Sequence, residues 1–158
     1  MSHIRSKKLI FIRHAHRDVL GRSTDHGLSE KGKRQSELIR DQLMTQYSLK
    51  DCVLYSSPKL RCIETLNPLA EALNHRIQIL SSLDERHSHE SETELKKRIQ
   101  HFLSEWKNSE HAITLACSHG DWLPLAVHQL TTTYADFEKG EWAEISLDSN
   151  QFFIRFRD

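Results

Sequence analysis

The sequence has little cysteine: three residues, an odd number, two of them within apolar stretches. We therefore expect Cys52, Cys62 and Cys117 to be free thiols in a reducing compartment and not a disulfide framework. Long hydrophobic runs are also missing, since the stretch 9–12 is too short for a signal peptide or a membrane span. These absences predict a cytoplasmic protein with no membrane partner.

Net charge is absent as well, because 22 lysines and arginines balance 22 aspartates and glutamates. No overall field then favours nucleic acid or a membrane surface, and we interpret the basic runs at 31–34 and 96–98 as solvated helix faces. The chain also lacks a Walker-type glycine loop and an Asp-x-Asp pattern, which argues against nucleotide kinases and aspartyl-phosphate enzymes. The length of 158 residues predicts one domain, 1–158.

Strand and helix patterns alternate along the chain, which predicts βαβ units around a mostly parallel sheet. The predicted strands are 9–12, 51–55, 76–80 and 112–117, followed by a closing hairpin of 142–147 and 152–156 that turns at 148–150. The fold class is therefore predicted to be α/β.

Two helix starts are marked by serine caps. Ser29 can cap a helix that runs to about residue 47, and Ser91 forms a capping box with Glu94. The second helix is strongly amphipathic, and its buried stripe is predicted to be Leu95, Ile99, Phe102, Leu103 and Trp106.

Prolines suggest the limits of two further helices. Ser57-Pro58 combines a cap with a proline at the first helical position, and the helix is predicted to break at Asn67-Pro68 before it resumes to about residue 74. A last helix at 121–130 tolerates Pro124 in its first turn.

Reactive side chains follow the predicted strands. Arg13 and His14 follow the first, Arg61 lies just after the second, Glu85 comes shortly after the third, and His119 follows the fourth. If these strands are parallel, their loops open at one edge of the sheet, where ligands of α/β proteins bind. The sequence therefore predicts a site with two arginines, two histidines and a carboxylate.

This set of groups suits a phosphoryl group. Arginines supply forked, permanently charged donors for its oxygens, and helix N-termini near Ser57 and Gly120 add further donors. The positive surroundings disfavour protonation of His14, which then keeps the free lone pair that a nucleophile needs. A carboxylic acid, Glu85 or less favourably Asp84, can protonate the leaving group.

Five stretches also resemble, in order, the signature elements of the histidine phosphatase superfamily, or phosphoglycerate mutase-like family, and of its short phosphatase branch. They lie between about residues 8 and 130: 9–15 with Arg-His-Ala, 28–35 with Leu-Ser-Glu-Lys-Gly, 56–65 with Ser-Ser-Pro, 83–86 with Leu-Asp-Glu-Arg, and 118–120 with Ser-His-Gly. The resemblance implies a three-layer α/β/α sandwich around a mostly parallel sheet, to which the sequence pattern adds a C-terminal hairpin.

The resemblance also implies a role for each site residue. His14 would be the phosphorylated nucleophile, and Arg13, Arg61 and His119 would bind the phosphoryl oxygens. Glu85 would protonate the leaving group and then activate the water that hydrolyses the phosphohistidine. No cofactor and no metal is implied.

The sequence departs from the family pattern near the nucleophile. Ala15 stands where most members have glycine, a change seen in short members. Leu20 stands where many members have an asparagine, and Arg17 is the candidate for a substitute phosphate contact.

The surplus of histidine, 11 residues, invites a metal hypothesis. His87 and His89 are spaced as His-x-His, and His14 and His16 form a similar pair. Such pairs on loops lack the third and fourth ligands of a metal site. We therefore predict no metal and leave open what His16, His87 and His89 do.

The sequence thus predicts a metal-independent phosphatase with two open substrate classes. The candidate acid Glu85 favours a small phosphomonoester, whereas the compact size favours phosphohistidine on a partner protein. The alternative is a catalytically silent phosphate-binding or interaction module of the same fold, and a metal-dependent hydrolase is a third option. A mutase is not expected, because the chain has no room for the insertion that cradles a phosphoglycerate.

Overall fold

A computed structural model describes residues 6–19, 25–148 and 151–156. Its strands are β1 (Lys7–Arg13), β2 (Val53–Ser56), β3 (Ile77–Ile79), β4 (Ile113–Ser118), β5 (Trp142–Asp148) and β6 (Gln151–Phe156). Its α-helices are α1 (Glu30–Gln46), α2 (Leu60–Leu73), α3 (Glu92–Asn108) and α4 (Leu123–Thr131), with one 3₁₀ turn at Ser81–Leu83. The predicted alternation of strands and helices is confirmed.

One six-stranded sheet has the order β3-β2-β4-β1-β5-β6. The four strands β3, β2, β4 and β1 pair in parallel. β5 runs antiparallel to β1 and to β6, which confirms the closing hairpin, although its turn at 149–150 lies outside the described residues. The carboxyl ends of the four parallel strands therefore share one edge of the sheet.

The helices cover both faces of the sheet. Side chains of β1 alternate between the two layers, as the two-residue repeat of a strand requires. Leu9 and Phe11 pack in a core with α3 and α4, whereas Ile10 and Ile12 pack in a second core with α1 and α2. The three-layer α/β/α arrangement is confirmed.

Both serine caps lie where the sequence predicts them. The Ser29 hydroxyl accepts from the Gly32 amide at the start of α1, and the Ser91 hydroxyl accepts from the Glu94 amide at the start of α3. All five residues of the predicted α3 stripe are buried. Local capping and helical periodicity were thus sufficient to predict these two helices.

The prediction for α2 was wrong at both prolines. The helix begins at Leu60, not Pro58, and Lys59 provides no side-chain cap. It also runs through Pro68 without a break, although an internal proline costs about 3 kcal/mol. Leu66 and Leu69 on either side are buried against the sheet, and burial of two leucines stabilises the helix by about that much.

The three cysteines are buried and free, as predicted. No helix within the ranges 6–19, 25–148 and 151–156 combines the length and the apolar character needed to cross a membrane.

Candidate active site

A pocket of about 250 Å³ opens at the carboxyl edge of the parallel strands. β1 and β4 are neighbours there, so that Arg13 faces Ser118 and the His14 amide donates to the Ser118 carbonyl at 3.1 Å. The residues that line the pocket are Arg13, His14, Arg17, Arg61, Glu85, His119, Gly120, Asp121 and Lys139. All six site residues predicted from the sequence are therefore brought together, and three others join them.

His14 is held in the state that a nucleophile needs. Its Nδ1 lies 2.9 Å from the Ala15 carbonyl oxygen, and because a carbonyl only accepts, Nδ1 carries the proton. The other ring nitrogen, Nε2, keeps its lone pair. Burial above all, and then the positive charges of Arg61, Arg13 and Arg17, lowers the pKa of His14 from 6.5 to about 4. The sequence predicted this direction but named the charges and not the burial as its cause.

The backbone that follows His14 is anchored to two helices. The Ala15 amide donates to the Thr65 hydroxyl on α2 at 2.9 Å, and the His16 amide donates to Gln35 Oε1 on α1 at 2.8 Å. Gly32 packs so closely against the His16 carbonyl that any side chain at position 32 would collide with it. The glycine and glutamine of the 28–35 stretch therefore fix the loop that follows His14.

Arg13 and Arg61 point unpaired donors into a buried region. Arg61 is 1% exposed, and its Nε and Nη1 have no hydrogen-bond partner among the described residues. Arg13 donates through Nη1 to the Phe137 carbonyl at 2.6 Å, but its buried Nε is likewise unpaired within the described part of the chain. Unsatisfied buried charged donors cost more than neutral ones, so these atoms indicate an anion site.

Gly120 allows Arg13 to lie over the pocket. A β-carbon at position 120 would stand 2.7 Å from Cζ of Arg13. The absence of a side chain at Gly120 thus lets the Arg13 guanidinium approach the backbone after His119.

His119 is neutral and points its proton away from the pocket. Arg61 Nη2 lies 3.3 Å from His119 Nδ1, and because a guanidinium cannot accept, Nδ1 is the acceptor. Nε2 then carries the proton and donates to the Ser57 hydroxyl at 2.8 Å. Burial, followed by the charge of Arg61, lowers the pKa of His119 to about 2. Donation to a phosphoryl oxygen through Nδ1 thus requires that nitrogen to gain a proton.

Glu85, and not Asp84, lines the pocket. Its Oε2 accepts from Arg61 Nη2 at 2.7 Å, and its side chain is 38% exposed, so it contacts both the buried Arg61 and solvent. Asp84 is buried, accepts the Glu85 amide at 2.9 Å and contacts His87 at 3.1 Å. Of the two carboxylates proposed for proton transfer, the geometry favours Glu85.

The irregular segment that carries Glu85 is held by one arginine of α3. Arg98 donates to four backbone carbonyls of this segment, at 2.7 to 3.3 Å: those of Ser81, Ser82, Asp84 and Glu85. It also forms a two-pronged pair with Glu90 at 2.7 and 2.9 Å, which lowers the pKa of Glu90 to about 2. We call residues 81–90 the acid loop.

Sequence reasoning missed the function of several residues. Arg98 was interpreted as part of a solvated face, but its side chain is only 17% exposed, and no local pattern signals its long-range contacts. Ser57 was interpreted as a helix cap and instead contacts His119. Lys139 and Asp121 line the pocket from loops without a recognisable motif.

The remaining histidines do not form a metal site among the residues described. His87 contacts Asp84, His16 Nδ1 lies 2.7 Å from the Ser29 hydroxyl, and His89 is exposed. Within 6–19, 25–148 and 151–156, no three or more His, Cys, Asp or Glu side chains are grouped so that they could hold a metal ion.

The family model of the histidine phosphatase superfamily (branch 1) matches residues 9–92, more than half of the chain. The chain belongs to this superfamily. The matched region contains Arg13, His14, Arg61 and the acid loop. No curated protein sequence gives a significant match.

Solved structures share the fold over nearly their whole length. A mycobacterial hydrolase has a TM-score of 0.79 at 16% identity, with 98% of each chain covered. A phosphoserine phosphatase mutant from Entamoeba histolytica in complex with phosphoserine has 0.77 at 17%, with 95% of this chain and 96% of that chain covered. A mycobacterial glucosyl-3-phosphoglycerate phosphatase in complex with inorganic phosphate has 0.77 at 17%, with 96% of each covered. At these identities the likeness shows the fold.

Proposed function

We propose that this superfamily member is a metal-independent phosphatase that acts through a covalent phosphohistidine on His14. One observation carries the proposal: a buried, neutral histidine whose Nε2 holds a free lone pair lies beside unpaired donors of Arg13 and Arg61. A phosphoryl dianion would pair with these donors while its phosphorus faces the histidine. The superfamily membership supports the same chemistry.

In the first step, the lone pair of His14 Nε2 forms a bond to phosphorus. The bond from phosphorus to the leaving oxygen breaks, and the electron pair of that bond stays on the oxygen. Protonated Glu85 gives its proton to this oxygen, so that an alcohol leaves. Arg13 and Arg61 balance the charge of the transferring phosphoryl group, and the proton of His14 stays on Nδ1, which donates to the Ala15 carbonyl oxygen.

In the second step, water replaces the alcohol. Glu85, now a carboxylate, takes a proton from the water, whose oxygen forms a bond to phosphorus. The phosphorus–nitrogen bond breaks, and its electron pair returns to Nε2 of His14. Inorganic phosphate leaves, and Glu85 is again protonated. The partial exposure of Glu85 supports this role, because the water has to reach it.

His119 enters this scheme as a partner of Arg61 and of the phosphoryl group. A bound dianion would raise the pKa of His119, since a nearby opposite charge favours the protonated ring. Nδ1 would then donate to a phosphoryl oxygen while Nε2 keeps its bond to Ser57. The ring centroids of His14 and His119 are 5.4 Å apart, which leaves both within reach of one phosphoryl group.

A phosphomonoester suits this site better than phosphohistidine on a protein. An alkoxide needs a proton to leave, and Glu85 can supply it from its position beside Arg61. Two proteins of this fold are named as phosphatases of phosphoserine and of glucosyl-3-phosphoglycerate. We propose the same general class, a small phosphorylated molecule, for this chain.

Turnover of p-nitrophenyl phosphate tests the proposal. We expect wild-type protein to hydrolyse it in the presence of EDTA and to be inhibited by vanadate, and His14→Ala to lose activity. His101→Ala, a change at an exposed histidine of α3, is the matched control and should keep full activity. Absence of wild-type turnover would support the silent-module alternative, and loss of activity in EDTA would support a metal-dependent hydrolase.

A further inference from the structure

The pocket contains more positively charged side chains than form ion pairs. Arg61 pairs with Glu85, but Arg13, Arg17 and Lys139 have no carboxylate oxygen within 4.0 Å in the described part of the chain. The excess is local, because acidic and basic residues are equal in number over the whole chain.

Lys139 lies among cations. Burial, followed by the charges of Arg13, Arg17, Lys31 and Arg61, lowers the pKa of Lys139. Like charges brought together in a partly buried place repel one another, and an anion bound between them would remove this cost.

The carboxylates of the pocket do not neutralise this charge. Glu85 is uncharged when it serves as the acid of the first step. Asp121 accepts the Arg86 amide at 3.0 Å, and its charge acts on Arg13. Arg13 and Arg61 match the dianionic phosphoryl group. The cations Arg17 and Lys139, less the negative charge of Asp121, then leave one net positive charge in the pocket.

We propose that Arg17 and Lys139 form a second anion subsite, which binds a carboxylate on the leaving group of the substrate. The substrate is then a small phosphomonoester that carries one carboxylate. The inference rests on the proposed function and deepens it. It also reassigns Arg17, which the sequence suggested as a contact to the phosphoryl group itself.

The size of the pocket agrees with this substrate class. Its volume of about 250 Å³ is below the range of about 300–1,000 Å³ found for drug-sized ligands, so a phosphorylated acid of a few carbons is an appropriate occupant. Phosphohistidine on a protein fits less well, because its leaving group is an uncharged imidazole with nothing for Arg17 and Lys139 to bind.

Matched substrates that differ in one carboxylate test the subsite. Phosphoserine is compared with phosphoethanolamine, and 3-phosphoglycerate with glycerol 3-phosphate. We expect wild-type kcat/KM to be at least about tenfold higher for the carboxylate-bearing member of each pair, the effect of one charge-assisted hydrogen bond. Lys139→Gln should lower this ratio by about tenfold. Lys33→Gln removes an exposed charge of α1 outside the pocket and should leave the ratio unchanged.

Equal kcat/KM within each pair for wild-type protein would overturn the subsite, and so would equal effects of Lys139→Gln and Lys33→Gln on the ratio. A failure of the proposed function looks different, because no phosphate ester at all is then hydrolysed. In that case calorimetry on His14→Ala still decides: tighter binding of phosphoserine than of phosphoethanolamine supports the subsite, and equal binding contradicts it.

Discussion

The wall of the pocket that carries His14 and the wall that carries Glu85 differ in what holds them in place. Arg13 ends the central strand β1, His14 directly follows it, and Arg61 lies in the first turn of α2; both His14 and Arg61 are nearly inaccessible to solvent. Glu85 lies in the acid loop, an irregular segment with a 38% exposed carboxylate, tied down by Arg98.

The difference fits the chemistry that we propose for each wall. The nucleophile and the arginines need a fixed, water-poor environment, because electrostatic stabilisation is strongest where dipoles are preorganised and solvent is excluded. The proton donor has to exchange protons and admit water, so it lies at the solvent side. A regular strand end suits the first task, and a loop held by many backbone hydrogen bonds suits the second.

The largest effect is expected where the two walls meet, at Arg61. Arg61→Met removes donors for the phosphoryl group and the partner of Glu85, and should lower kcat/KM for p-nitrophenyl phosphate by about 10³-fold. Arg61→Lys keeps the charge but not the fork, and should recover little. Circular dichroism checks the fold of both variants, and Arg40→Met on the exposed side of α1 is the control. A loss below tenfold in well-folded Arg61→Met would contradict its place in the site.

The next largest loss of activity is expected from a change confined to the wall that carries Glu85. Glu85→Gln should slow hydrolysis of alkyl phosphates by about 10²–10⁴-fold, the usual contribution of a general acid. Its effect on kcat/KM for p-nitrophenyl phosphate, whose leaving group needs no proton, should be under tenfold, whereas kcat falls because Glu85 also activates the water of the second step. Asp84→Asn is the matched control for the neighbouring carboxylate. Equal losses on both substrates, or a larger selective loss in Asp84→Asn, would show that Glu85 is not the acid.

A smaller loss of activity, again selective for alkyl phosphates, is expected from changes at Arg98, which we expect to act through Glu85. Arg98→Met releases four carbonyls of the acid loop and should lower kcat/KM for alkyl phosphates by about tenfold, with little change for p-nitrophenyl phosphate. Arg98→Lys should restore part of this loss, and the exposed neighbour Lys97 serves as control through Lys97→Met.

A double-mutant cycle separates positioning from general destabilisation. In the Glu85→Gln background, Arg98→Met should have almost no further effect on alkyl phosphates. Additive losses, or an equal loss on p-nitrophenyl phosphate, would mean that Arg98 serves only the stability of the fold.

The two walls also differ in how much of them the sequence predicted. His14 and His119 follow apolar strands, so periodicity and parallel topology were enough to bring them together. Capping at Ser29 and Ser91 is local and was predicted correctly. Pro68 misled because tertiary burial outweighed a local helix breaker.

Contacts distant in sequence account for the rest. Arg98 binds carbonyls 13 to 17 residues away, and Lys139 reaches the pocket from a loop beyond the last motif. Neither has a periodic or motif signal, because their roles depend on where other segments end in space.

The smallest expected effect is that of the ionisation of His14 on the stability of the fold. The pKa of His14 is about 4 in the folded protein and 6.5 in the unfolded chain, so the unfolded chain binds more protons below pH 6.5. The stability of wild-type protein should therefore fall as pH drops from 6.5 towards 4, with about 2 kcal/mol lost at pH 5 through this group.

Urea unfolding at pH 7 and pH 5 measures this loss, and His14→Gln is the matched variant without the ionisable ring. Its pH dependence should be smaller than that of wild-type protein by about that amount. An identical pH dependence in both proteins would show that His14 is not held neutral by burial.

A variant of Glu85 makes the covalent phosphohistidine intermediate easiest to detect. Glu85→Gln mixed with a ³²P-labelled aryl phosphate and quenched in base should contain phosphate bound to protein, stable in base and labile in acid, and peptide mapping should locate it at His14. The double variant with His14→Ala should carry no label. Stoichiometric label on another residue, or full turnover by His14→Ala without any phosphoprotein, would contradict the claim that His14 is the nucleophile.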